Sequence, residues 1–264
     1  MNKAISTDGT PIAYETWGRG PLVVIVGGAF NTGETWAELA RALAGDFNVV
    51  SYDRRGRGDS GDNRPYAVER ELEDLNAVIA AAGPGQKARV HAISSGGGLL
   101  IRAVAAGLPI GKASIFEVPY RIESAPPMPD HYIATLEGFV EADERAGLVE
   151  YFNTQVVGLP SEMLEPMKGT PMWEALVAMA PTLVYDGLAL GGDVQSLPVN
   201  MLSGIDIPVL SISSDHSTPW LRDAAKATAE AIPKGNYQSL AGGFHEVPPP
   251  VLAPVLTEFY GKEG

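Results

Sequence analysis

The chain has 264 residues, 45% of them hydrophobic, and a formal net charge of −13. That length and apolar content suit one large α/β domain, or a core domain with an insertion, and allow a sizeable core. The charge argues against nucleic acid and anionic membrane as partners, and the lack of cysteine excludes disulfides, a thiolate nucleophile and Cys-based metal sites.

Short strands are predicted over 3–7 and 11–17, around the turn signal Asp8-Gly9-Thr10. Residues 22–26 form a continuous apolar run, the pattern of a strand buried on both faces. Gly27-Gly28-Ala29-Phe30-Asn31 closes that run as a loop. Helical spacing over 35–44 precedes a second buried strand over 47–52, which ends in the charged loop Asp53-Arg54-Arg55-Gly56-Arg57-Gly58-Asp59-Ser60. Residues 68–82 are amphipathic and acidic in their first half, as suits a helix N-terminus. A strand over 89–93 runs into a helix over 97–106, and a strand over 112–116 runs into Glu117-Val118-Pro119-Tyr120.

Residues 121–203 break the alternation, with helical patterns over 131–145, 147–157, 161–167 and 171–188. A strand over 208–213, a helix over 219–231, a strand over 237–240 and a helix over 251–260 complete the chain. This order predicts an α/β fold class, a doubly wound, mostly parallel sheet with helices on both faces. The core domain comprises 1–120 and 204–264, and 121–203 is a helical lid inserted after the sixth strand. The insertion falls on the carboxyl edge of the sheet, where ligands bind in such folds.

The corner between the strand over 89–93 and the next helix reads small-x-Ser-x-Gly-Gly, with Ser94 at its tip between Ala92 and Gly96-Gly97. This is the pattern of a nucleophile elbow, although its commonest form has Gly where Ala92 stands. A serine there has strained backbone angles, so small neighbours are needed. Without a base the hydroxyl is a poor nucleophile. The Gly-rich stretch is not a phosphate loop of the Lys-bearing kind, because Leu99 follows Gly96-Gly97-Gly98.

By these motifs the chain resembles the α/β-hydrolase superfamily over nearly its full length. The strand and loop ending at Gly27-Gly28, the charged loop from Tyr52 to Ser60, the Ser94 elbow, the run Ile207-Pro208-Val209-Leu210-Ser211-Ile212 and Gly242-Gly243-Phe244-His245 carry the resemblance. It implies Ser94 as nucleophile and His245 as base, in the chain order Ser, acid, His. The superfamily's usual acid position falls on Ser217, which cannot serve as a carboxylate does. Two acids remain, Glu117 just past the strand over 112–116 and Asp215 beside Ser217. Glu117 is preferred, because some members, resembling zearalenone hydrolase-like lactonases, take their acid from that strand end. The oxyanion donors implied are the N–H groups of Ser95 and Ala29, with Gly28 as the alternative to Ala29. Asp53, Arg54 and Arg57 read as a loop tied down by ion pairs. His91 reads as a sheet residue, His131 as the start of a lid helix and His216 as a neighbour of the acid loop.

The lid is rich in Met and aromatics, among them Met128, Tyr132, Phe139, Phe152 and Trp173. Such residues pack helices and also line adaptable apolar pockets. Phe30, Trp173 and Tyr132 are expected to touch an uncharged, fairly hydrophobic substrate. The functional expectation is a serine hydrolase of esters or lactones, a carboxylesterase- or lactonase-like enzyme acting through an acyl-enzyme. The alternatives are a cofactor-free perhydrolase, or a cyclase, lyase or carbon–carbon bond hydrolase of secondary metabolism on the same fold. A binding protein that reuses the fold is a further class. No cofactor or metal is expected: metal, nucleotide and flavin motifs are missing, and the four histidines hold no i, i+4 pair. Met1-Asn2-Lys3-Ala4 lacks an apolar signal core and no run approaches a membrane span, so a cytoplasmic location is expected, with a homodimer compatible with everything above.

Overall fold

The computed structural model describes residues 1–262. A hairpin opens the chain, β1 (Asn2–Ile5) and β2 (Pro11–Trp17), turned at Gly9, whose φ of 84° lies in the left-handed region. Asp8 Oδ1 accepts the Thr10 N–H across that turn at 2.9 Å. Strands and helices then alternate as β3 (Leu22–Val26), α1 (Ala37–Leu43), β4 (Asn48–Tyr52), α2 (Val68–Ala82), β5 (Ala88–Ile93), α3 (Ser95–Ala105) and β6 (Ile110–Phe116). Five helices follow, α4 (Tyr132–Glu141), α5 (Arg145–Tyr151), α6 (Pro171–Met179), α7 (Leu183–Leu190) and α8 (Val199–Leu202). The alternation resumes with β7 (Val209–Ser214), α9 (Pro219–Glu230), β8 (Gly235–Leu240) and α10 (Pro249–Gly261).

The eight strands form one sheet in the order β1-β2-β4-β3-β5-β6-β7-β8. The β1–β2 and β2–β4 pairs are antiparallel and the remaining pairs parallel. All five residues of β3 are buried. Val24 and Val26 pack with Val50, Val90 and Leu99, while Val23 and Ile25 pack with Leu39, Leu43 and Leu256. Helix α3 therefore covers one face, and α1 and α10 cover the other, which is the doubly wound arrangement the apolar runs predicted. Burying each such Val, Leu or Ile contributes roughly 1.5–3 kcal/mol.

Between β6 and β7 the helices have a core of their own, built on Tyr132, Leu136, Leu148, Trp173, Leu183 and Tyr185. Their boundaries differ from the sequence expectation. The pattern over 131–145 ends at Glu141, because Asp143 turns the chain with a φ of 53°. The pattern over 147–157 passes from α5 into a π-helical turn at Phe152–Val157. The one over 171–188 is interrupted by a tight turn at Ala180–Thr182, where Pro181 supplies no backbone N–H to the helix ladder.

Candidate active site

Ser94 is the single residue between β5 and α3. Its φ of 54° and ψ of −125° are strained for a side chain with a Cβ. The corner is held by the Ser94 N–H, which donates to the Phe116 carbonyl at 2.9 Å. It is also tight: a Cβ on Gly96 would lie 2.6 Å from the Gly27 oxygen and 2.7 Å from the Val26 oxygen, so α3 approaches the end of β3 only because Gly96 has none. Phe30, Glu117, Gln195 and His245 share the positive φ of Ser94, and all surround the same carboxyl edge of the sheet. Strain of this kind persists where the surrounding structure over-determines it, and it clusters at functional sites.

Glu117 follows β6 directly and is fully buried. Its Oε1 accepts the Ser214 N–H at 2.7 Å, and its Oε2 accepts from His245 Nδ1 at 2.6 Å. The carboxylate thus reaches across the end of β7 and holds one nitrogen of the imidazole, leaving the other for chemistry. The His245 ring stacks on Phe116, with centroids 5.5 Å apart. Ser217, at the superfamily's usual acid position, accepts the backbone N–H of His245 at 2.9 Å and so fixes the loop rather than the ring. Asp215, the second acid considered, does not pair with His245. Its Oδ1 accepts from His216 Nδ1 at 2.6 Å and from the Gly242 N–H at 3.1 Å, and those two bonds hold its carboxyl below its ordinary value. Its side chain is 45% exposed and is paired with His216.

Ala29, Ser94, Ser95 and His245 line one cavity of about 110 Å³. Ser95 is the first residue of α3, so its N–H has no partner within the helix. Gly28 is excluded as a free donor, because its N–H already donates to Asn31 Oδ1 at 2.9 Å. The Gly28 carbonyl is bonded by Arg57 Nη1, and Arg54 Nη1 donates to the Gly27 carbonyl at 3.3 Å. In a trans peptide the C=O of Gly28 and the N–H of Ala29 point in opposite directions. Pinning the carbonyl on Arg57 therefore fixes the direction of the Ala29 N–H.

Both arginines converge on Asp186 of α7, which accepts from Arg54 Nη1 at 2.7 Å, Arg57 Nη2 at 2.8 Å and Ser95 Oγ at 2.7 Å. Burial pushes the Asp186 carboxyl up, but Arg57 and Arg54 outweigh it and hold the group below its ordinary value. Arg54 also bonds Glu71 at 2.6 Å. Sequence reading took the arginine loop as structural and missed Asp186 and Asn31. The one signal for Asp186 was a lone acid in the apolar run of α7.

Tyr132 and Phe152 line the cavity, and Phe30 stands behind Phe152 in edge-to-face contact at 5.6 Å. Trp173 does not reach the cavity. It is 5% exposed within the helical segment's own core, where burying a large ring outweighs presenting it to a ligand. His91 is wholly buried with Nδ1 2.7 Å from Ser114 Oγ, and burial pushes its imidazole down to about 3. His131 precedes α4 and is exposed, as is His216. Among the described residues, no helix is long and apolar enough to cross a membrane.

A family model described as the alpha/beta hydrolase family matches residues 23–252. Among solved structures, an alpha/beta hydrolase from Sphaerobacter thermophilus DSM 20745 is 45% identical, with a TM-score of 0.91 over 98% of this chain and 100% of that one. The enol-lactonase from Burkholderia xenovorans LB400 superimposes with a TM-score of 0.76 over 99% of this chain and 100% of that one; at 18% identity this shows a shared fold. A probable oxidoreductase, EphD, from Mycobacterium tuberculosis (strain ATCC 25618 / H37Rv) is 36% identical over 92 residues, 33% of this chain. That match spans only 16% of the relative's length.

Proposed function

This chain belongs to the alpha/beta hydrolase family, and from that premise we propose that it is a serine hydrolase cleaving an ester or lactone of a small, largely apolar molecule. The observation that carries the reading is the 2.6 Å bond between His245 Nδ1 and Glu117 Oε2, behind a cavity that His245 shares with Ser94. Glu117 fixes the ring's tautomer and stabilises the imidazolium that forms. His245 takes the Ser94 hydroxyl proton through its other nitrogen as Oγ bonds to the substrate's carbonyl carbon. The Ala29 and Ser95 N–H groups hold the developing oxyanion, each worth about 3 kcal/mol of barrier by precedent. The alkoxide leaves with the proton from His245, and water then repeats the sequence on the acyl-enzyme.

Residues 121–203 serve as the lid. Tyr132 and Phe152 form its ceiling over the substrate, and Asp186 ties it to the elbow through Ser95. The test is product mass over a panel of esters and lactones. Hydrolysis adds one water to the substrate's atoms, and Ser94→Ala abolishes it. A product isomeric with its substrate would instead mark a cyclase, and two products whose atoms sum to the substrate with no water added would mark a lyase.

A further inference from the structure

Besides His245, two ionisable side chains stand in the cavity wall, Asp186 and Arg121. Asp186 is neutralised by Arg54 and Arg57. Arg121 has no such partner: it makes no ion pair among the described residues, although the chain has 32 acidic residues against 19 basic ones. Its Nη1 donates to the Pro126 carbonyl at 3.0 Å, and its guanidinium lies 4.8 Å over the Trp220 ring, another cavity residue. Its Nε is buried and has no acceptor. Burial pushes the guanidinium down from its ordinary value, and no carboxylate offsets that cost.

A second unpartnered polar group belongs to the same cavity lining. Thr218, which also lines the cavity, has a buried hydroxyl without a partner. It occupies the N-cap of α9 but makes no capping bond with its side chain. Buried polar groups are normally satisfied, and the Arg121 Nε and the Thr218 hydroxyl are both exceptions. The Arg121 backbone is anchored by its N–H, which donates to the Gln195 carbonyl at 2.8 Å, and its guanidinium is placed by the Pro126 carbonyl and the Trp220 ring. An unpaired guanidinium and an unpartnered hydroxyl among the residues of one cavity fit one group, a planar anion able to take several N–H donors.

We propose that the substrate carries a carboxylate, and that Arg121, assisted by Thr218, binds it. The inference rests on the ester or lactone reading for the reacting end of the molecule, and it revises the uncharged substrate expected from the lid's composition. At about 110 Å³ the cavity is small, so the carboxylate and the scissile carbonyl belong to one short molecule. The α9 N-terminus adds partial positive charge on the same side.

The test separates binding from turnover. Ser94→Ala protein is titrated with the monomethyl esters of glutaric, adipic and suberic acids, and with the matching dimethyl esters, following Trp fluorescence and heat. The account expects at least one monoester to bind about tenfold or more tightly than its diester, as a charge-assisted hydrogen bond allows. Adding Arg121→Gln should erase that preference, and adding Arg121→Lys should restore part of it, with circular dichroism showing each variant folded. Equal binding of the paired esters, no binding across the series, or a preference that survives Arg121→Gln would overturn the proposal. Because no hydrolysis is needed, failure of the ester-cleaving reading would show separately, as absence of turnover by the unmodified protein on ligands that bind.

Discussion

Glu117 and Asp215 are both carboxylates near the end of the sheet, yet their surroundings assign them opposite parts. Glu117 is buried, and its two oxygens are taken by the Ser214 N–H and the His245 ring. Asp215 is spent on His216 and Gly242 at the surface. Exchanging Glu117 for Gln keeps the shape but allows the wrong imidazole tautomer, so kcat should fall by about ten-thousandfold, as in other triads. Asp215→Asn should leave kcat/KM within about threefold. Steady-state kinetics on any accepted ester checks both, and equal losses would dismiss the assignment. An elbow motif and a late Gly-Gly-x-His loop are local signals that marked Ser94 and His245 as candidates, whereas an acid follows two strand ends, Glu117 after β6 and Asp215 after β7, so the preference for Glu117 rested on the resemblance. Asp186 was not legible, because its meaning lies in Arg54, Arg57 and Ser95, which are far from it in sequence. Trp173 misled for the reverse reason: an aromatic on an insertion looks alike whether it faces a ligand or its own helix neighbours.

At the scale of elements, strands read far better than the helical insertion. A five-residue apolar run such as β3 admits few readings, and its alternate residues divide between the two helix layers. The insertion's helices are short and end on turns set by particular residues, such as Asp143 and Pro181, that a periodicity blurs. Trp173 sits in the small core that these helices share. Trp173→Ala should cost about 3–5 kcal/mol of stability through the cavity left behind. Denaturant titration would register that loss. KM should change little in protein that remains folded, whereas a large rise in KM at unchanged stability would return Trp173 to the substrate.

Across the whole molecule, stability should depend on pH through a group that takes no part in the proposed chemistry. His91 is buried in the central sheet, and its imidazole is pushed from 6.5 down to about 3. Below pH 6.5 the unfolded chain takes a proton there that the folded chain refuses. The folded state therefore loses stability as pH falls from 6.5 toward 3, by at most about 1.4 kcal/mol per pH unit. Asp186 acts in the same direction but only below the usual carboxylate range, because its folded value is lowered and its contribution is present above that range. Urea titrations at pH 7 and pH 5 should show roughly 2 kcal/mol more loss in the native protein than in His91→Gln. Parallel loss in the two proteins would mean that His91 titrates freely. The net charge of −13 was legible at once, but a cation without an ion-pair partner in the cavity wall of an acidic protein shows only when the fold brings the cavity together.

The central claim is an activated Ser94, and the most direct measurement is intact mass after treatment with an alkyl fluorophosphonate, followed by peptide mapping. The account predicts a single adduct, on Ser94, formed far more slowly in His245→Ala and in Glu117→Gln. A folded protein that takes no adduct, or one labelled equally fast in those variants, would contradict it.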